Sequence, residues 1–367
     1  MEEKLLKNEE KAVFALRSLY RAYGYLPFKM SKFEEYELYV RNKDFLVSDR
    51  IITFNDTNGK LMALKPDVTL SIIRNTTDTP GVKQKVYYNE NVYRVSDSTH
   101  QYKEILQTGL ECVGDIDSYD LYETVLLAAK SLDQISPNFV LDVSHLGILT
   151  AVLDETSGDD TFRQSAAACI SSKNKHDLQK LCLACSIDEE NTERLLQFID
   201  IYGETTSVLA RLDPLCQSKE ARDALDELKT LADLLSDTPY ADRIRFDFSI
   251  VNNMNYYNGI VFRGFLSGIC EGVLAGGQYD KLLRRMGRRS GAIGFALYLD
   301  LLEDLQKAES LYDVDALILY DEKIAPTEIA AAVRTLTEQG ECVSAQKSIP
   351  EKLRYRRLVD LRKGERA

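Results

Sequence analysis

The chain has 367 residues, 44% of them hydrophobic, and a formal net charge of −12 from 46 Lys and Arg against 58 Asp and Glu. That length predicts two or three domains with ample cores, and no apolar run approaches the length of a membrane span. The acid excess disfavours a broad nucleic-acid surface, because phosphate contacts need clustered cations.

The opening MEEKLLKNEEK lacks the charged-then-apolar order of a secretory signal, so a cytoplasmic location is expected. Val13, Leu16, Tyr20 and Tyr23 recur at helical spacing, and Gly24 ends that helix. Strands are predicted at Tyr25 to Phe28, Ile51 to Asn55 and Leu61 to Lys65, the last two joined by a hairpin turn at Asn58-Gly59. A helix should then start near Leu70, with Asp67 and Thr69 as candidate caps. Val86 to Val95 and Glu104 to Gly114 read as two further strands. In the second, Gln107, Gly109 and Glu111 share one face because side chains alternate along a strand. Taken alone, a Gln and a Glu on one sheet face read as solvated residues.

A helix is expected over Tyr119 to Leu132 and a strand over Phe139 to Val143. From about Leu149 to Leu235 the pattern is helical with no strand signal, including a stripe of Leu225, Leu228, Leu231 and Leu235. Seven scattered cysteines suit reduced thiols. Cys182 and Cys185 form a C-x-x-C inside a helical run, with no second pair to complete a zinc site, so core packing is expected there and no metal. Beyond the linker Ser236 to Pro239, Ile244, Phe246, Phe248 and Ile250 alternate as a strand. Tyr256 to Phe265 reads as its hairpin or meander partner. Ala275-Gly276-Gly277 reads as a turn, and Gly291 to Leu305, apolar almost all round, as a helix buried against the sheet. From Val314 a strand, a helix and a strand suggest a small α/β unit. The last stretch, Glu351 to Ala367, holds seven basic and three acidic residues and reads as a solvated terminal segment.

Five of these segments, in order, resemble the class II catalytic core of histidyl-tRNA synthetase. KPDVT (65–69) is similar to R-P-E-G-T, and VYR with ILQTGLECVG (92–114) to the second class II motif, F-R-x-E and H-Q-x-G-x-E. NYYNGIVF (255–262) is similar to L-D-Y-Y-x-x-T-x-F-E, AGGQYDKL (275–282) to A-G-G-R-Y-D-x-L, and GAIGFALYLDLL (291–302) to the third motif, G-x-G-x-G-F-A-x-G-x-E-R. The resemblance implies an α+β fold: a class II synthetase-like antiparallel sheet flanked by helices. It divides the chain into core (1–148), helical insertion (149–238), core again (239–312) and a truncated anticodon-binding-like α/β domain (313–367).

By the same resemblance Asp67, Thr69 and Gln107 would hold the ammonium of histidine. Glu111 and Tyr257 would hold its imidazole, Tyr279 would close the pocket beside Tyr256, and Arg94 matches the motif 2 arginine. Other positions depart from the family. The motif 3 arginine falls on Leu301, the arginine of R-G-L-D-Y-Y on Asn252, and the glutamate of F-R-x-E on Ser96. Adenylate formation joins two anions and needs positioned cations, so the resemblance implies a histidine pocket without an adenylation engine. It is similar in this to the synthetase-like regulatory subunit of ATP phosphoribosyltransferase, in histidine biosynthesis. That family implies a short-form catalytic subunit as partner, histidine feedback, no cofactor, and a homodimer within a hetero-octamer, with 24–33 at the dimer contact. Binding of tRNA is not expected. An active histidyl-tRNA synthetase and a stand-alone histidine-binding paralogue remain as alternatives.

Overall fold

The computed structural model describes residues 8–42, 51–96, 99–251, 256–306 and 312–364. The chain divides into two compact units, Met1–Asp304 and Leu305–Ala367. The first begins with α1 (Asn8–Ala22), β1 (Leu26–Pro27), β2 (Phe33–Glu35), α2 (Tyr36–Arg41), β3 (Thr53–Asn55), β4 (Leu61–Leu64) and α3 (Thr69–Asn75). The long strands β5 (Lys83–Val95) and β6 (Tyr102–Gly114) follow, then α4 (Ser118–Asp133) and β7 (Phe139–His145). Next come α5 (Leu146–Thr156), α6 (Asp160–Ser171), α7 (Lys175–Ala184), α8 (Glu189–Ile199), β8 (Tyr202–Gly203), α9 (Thr205–Leu212) and α10 (Lys219–Ser236). The unit closes with β9 (Ile244–Asp247), β10 (Ile260–Leu266), β11 (Leu274–Gln278), α11 (Asp280–Arg285) and β12 (Gly291–Tyr298).

Among the described residues nine strands form one sheet in the order β1-β5-β6-β12-β11-β10-β7-β9-β8. The five-strand block from β5 to β10 is antiparallel throughout, and β7 joins it antiparallel to β10. Parallel pairs occur at β1 with β5 and β7 with β9. Helix α4 packs behind the sheet. Its start is fixed by Asp117, whose carboxylate accepts from the backbone of Tyr119 and Asp120 while Asp120 returns a bond to the Asp117 amide, a reciprocal capping box. The predicted hairpin at Asn58-Gly59 is present as β3–β4, with Gly59 at φ +80°.

Several expectations are corrected. Gly291 to Leu305 is not a helix: it is the central strand β12 followed by a 3-10 turn from Leu299. A strand covered on both faces is apolar all round, which removes the alternation that would mark it. Ala275-Gly276-Gly277 is not a turn but the middle of β11. Gly276 is required there because a Cβ would stand 2.4 Å from the Phe295 Cβ and 2.5 Å from the Gly294 carbonyl. Nor is β10 the partner of β9, since β7 lies between them. The helical stretch also contains the two-residue strand β8, paired with β9. Cys182 is buried in α7 as expected, but Cys185 is exposed at its end.

In the second unit β13 (Val314–Leu319), α12 (Pro326–Glu338), β14 (Val343–Gln346) and β15 (Tyr355–Asp360) form a parallel sheet in the order β14-β13-β15 under one helix. Part of the basic terminal segment, Tyr355–Asp360, is therefore a strand, while the described basic side chains of the segment stay exposed. Some of its charges are paired locally, Arg354 with Asp313, Arg357 with Glu341 and Arg362 with Asp360, while Val359 and Leu361 enter the core.

Candidate amino-acid pocket

The antiparallel register assembles one pocket on one face of the sheet. Opposite Gln107, Gly109 and Glu111 on β6, the β12 ladder sets Tyr298, Ala296 and Gly294. Beside Ala296 lies Ala275 of β11, and opposite Gly109 lies Tyr88 of β5. The row between is floored by glycine and alanine, so the sheet itself forms a recess. Asp67, Val68 and Thr69, entering α3, close one wall. Tyr256 and Tyr257 before β10, with Tyr279 after β11, close another. All of these residues except Gly109 line the same pocket, with Arg94 and Phe295.

Glu111 sits at its deep end, 2% exposed. Its Oε2 accepts from the Tyr279 hydroxyl at 2.5 Å, and its Oε1 from the Thr69 hydroxyl at 2.9 Å. Burial pushes the carboxyl up to about 8. The Tyr279 and Thr69 hydrogen bonds oppose that rise, and the negative charge of Asp67 adds to it. Two neutral donors do not replace lost hydration, so an added donor or cation would be held strongly. The same burial raises the Tyr256, Tyr257 and Tyr279 phenols well above their ordinary value, which keeps them protonated donors. The Tyr256 ring stacks edge-on to Tyr257 at 4.6 Å between centroids and lies 5.6 Å from Tyr279.

Asp67 keeps part of its surface open to the pocket, yet lies far enough from bulk water that burial raises its carboxyl. One oxygen accepts from the Leu70 amide at 2.9 Å, so Asp67 does cap the first turn of α3. Thr69, the other expected cap, turns its hydroxyl to Glu111 instead. The Gln107 side chain is buried and makes no hydrogen bond among the described residues, leaving its amide for a ligand. Arg94 donates to the Pro66 carbonyl at 3.1 Å, tying the wall to β5. Beneath it the buried Lys65 ammonium pairs with Glu90 at 2.8 Å.

The family model described as histidyl-tRNA synthetase matches residues 1–302. The chain belongs to the histidyl-tRNA synthetase family. An ATP phosphoribosyltransferase regulatory subunit from Oceanobacillus iheyensis is 29% identical over 78% of this chain and 71% of its own length. The fold matches the solved ATP phosphoribosyltransferase regulatory subunit/histidyl-tRNA synthetase from Bacillus halodurans, with TM-score 0.78, 21% identity and coverage of 96% and 93%. A chain of the ATP phosphoribosyl transferase (HisG:HisZ) complex from Thermotoga maritima gives TM-score 0.63 at 19% identity, covering 79% of this chain and 97% of that one.

All eight residues expected to form the site, Asp67, Thr69, Arg94, Gln107, Glu111, Tyr256, Tyr257 and Tyr279, line this pocket. Gln107 and Glu111 are buried, so the solvated reading of that face is replaced. The sequence reading missed Tyr88 and Tyr298. Tyr88 shares a face with Arg94 on β5, a period-2 relation visible once the strand register is known. Tyr298 was hidden by the helical assignment of Gly291 to Leu305. Aligned on Gly294-Phe295-Ala296, the family's next glycine falls on Tyr298, and the glutamate after Phe262 falls on Arg263. Leu301 is half-buried in the 3-10 turn after β12, whereas Asn252 lies outside the described residues.

Proposed function

We propose that this chain is the non-catalytic regulatory subunit of ATP phosphoribosyltransferase, binding L-histidine in the pocket of Glu111 and assembling with a short-form catalytic subunit. The observation carrying this reading is the convergence of all eight expected polar residues on one pocket, in a synthetase-family chain whose relatives carry the regulatory-subunit name. In this reading the imidazole lies between Glu111 and Tyr257, and the ammonium lies near Asp67, Thr69 and Gln107. Arg94 and the phenols line the remainder. A buried carboxylate facing tyrosine hydroxyls supplies an acceptor for one imidazole nitrogen and a donor for the other.

The synthetase activity is lost in this reading because leucine at 301 and asparagine at 252 offer no guanidinium to the phosphate. Removal of one such contact costs ~10²–10³ in rate, and leucine supplies neither charge nor donor. Histidine then acts as a signal. It shifts the assembly by binding its active and inhibited arrangements with different affinity. The 24–33 segment is the proposed dimer contact, and the helices between β7 and β9 the proposed insertion.

The reading predicts saturable histidine binding by calorimetry, no histidine-dependent ATP–pyrophosphate exchange, and co-elution with a short-form catalytic subunit in size-exclusion chromatography. Exchange activity would restore the synthetase alternative. Histidine binding without co-elution would leave a stand-alone paralogue.

A further inference from the structure

Away from Glu111 the pocket changes sign. Tyr298 faces Gln107 across the β6–β12 ladder, and the positive charge of Arg94 acts on its phenol. A second arginine, Arg263, lies on the same face of the sheet outside the pocket lining, between Ala275 of β11 and Asp142 of β7. Arg263 stands opposite Ala275 in the β10–β11 ladder, and Ala275 stands opposite Ala296. Adjacent strands are about 4.8 Å apart, and an arginine side chain spans more than one such step. Ala275, a pocket-lining residue, offers only a methyl group in the way.

The Arg263 side chain is half-buried, and its charge also acts on the Tyr298 phenol. Gly272 makes room for it, since a Cβ there would lie 2.2 Å from the Arg263 Nε. Its Cζ stands 5.5 Å from the Phe265 ring centroid. Among the described residues it makes no hydrogen bond or ion pair. A half-buried guanidinium has five N–H donors to satisfy, and leaving them unmatched costs free energy. An anion at this end of the pocket would satisfy them.

We propose that Arg263, with Arg94 and the Tyr298 hydroxyl, holds the α-carboxylate of the amino-acid ligand at the end of the pocket opposite Glu111. The proposal rests on the histidine reading above and deepens it. The family's glutamate at this position would repel a carboxylate, whereas arginine can grip it with two parallel N–H donors. The pocket is then bipolar: acids at one end take the ammonium and imidazole, and guanidinium groups at the other take the carboxylate.

The test is calorimetric titration of the full chain with L-histidine and with L-histidinol, which keeps the imidazole and ammonium but lacks the carboxylate. The wild-type protein should prefer histidine by roughly 10- to 100-fold. Arg263→Gln should remove most of that preference by weakening histidine alone, and Arg263→Lys should restore part of it. Thermal melting of each variant verifies folding. Equal weakening of both ligands would show a merely structural role and overturn the proposal, as would unchanged histidine affinity in Arg263→Gln. If the wild-type protein binds neither ligand, the histidine reading itself fails and takes this role with it.

Discussion

Glu111→Gln should lower histidine affinity by about 100-fold or more while making the ligand-free protein more stable. The two effects share one cause. The carboxyl is buried with only two neutral donors, so its ionisation is opposed and its proton is held up to about 8. In the unfolded chain a glutamate releases its proton near pH 4. Between those values the folded state binds a proton that the unfolded state has lost, so stability falls as pH rises. The slope spans roughly pH 4.5 to 8, and the accumulated cost approaches about 5 kcal/mol at its upper end. Glutamine fills the same space, accepts from Thr69 through its carbonyl oxygen, and does not titrate. Denaturant midpoints at pH 5 and pH 8 should therefore differ less in the variant, with the gain in stability concentrated at pH 8. Binding should suffer because a buried carboxylate–imidazole contact is replaced by a neutral one. Unchanged affinity together with an unchanged pH slope would place Glu111 outside the ligand site.

Gly294→Ala should destabilise the fold by about 3 kcal/mol and disable the pocket in whatever folded protein remains. A Cβ at this position would lie 1.8 Å from the Glu111 Oε2 and 2.4 Å from the Leu110 carbonyl oxygen. The carboxylate could swing aside, losing its Tyr279 bond. The carbonyl belongs to the β6–β12 ladder and can move only if the two central strands separate. This glycine is thus fixed by the closeness of two strands and a functional side chain. Urea unfolding gives the stability change, and histidine titration of the folded fraction gives the binding change. A midpoint within experimental scatter of wild type, with full affinity, would contradict the placement of Glu111 against β12.

Much of the site was legible because its residues sit in short motifs whose spacing survives without any tertiary information. Lys65 to Thr69, Gln107 to Glu111 and Tyr256-Tyr257 each placed their polar groups correctly relative to their own element. What the sequence could not carry was which strands are neighbours. Gly276 looks like a turn residue and Gly294 like part of a helix until β11, β12 and β6 are known to be neighbours, with Phe295 of β12 against Gly276 and Glu111 of β6 against Gly294. Tyr298 becomes visible as a pocket residue, and Arg263 as a neighbour on the same face, only through that same register. In the smaller unit, β15 was concealed by the basic run around it, in which Arg357 pairs with Glu341 and the flanking Arg354 and Arg362 pair with Asp313 and Asp360.

The most direct measurement is the rate of phosphoribosyl-ATP formation by a matched short-form catalytic subunit, with and without this chain, across a histidine titration. The regulatory reading predicts that the chain raises the rate, that histidine then suppresses it, and that Glu111→Gln shifts the suppression to far higher histidine. A rate indifferent to the chain at every histidine concentration would contradict it.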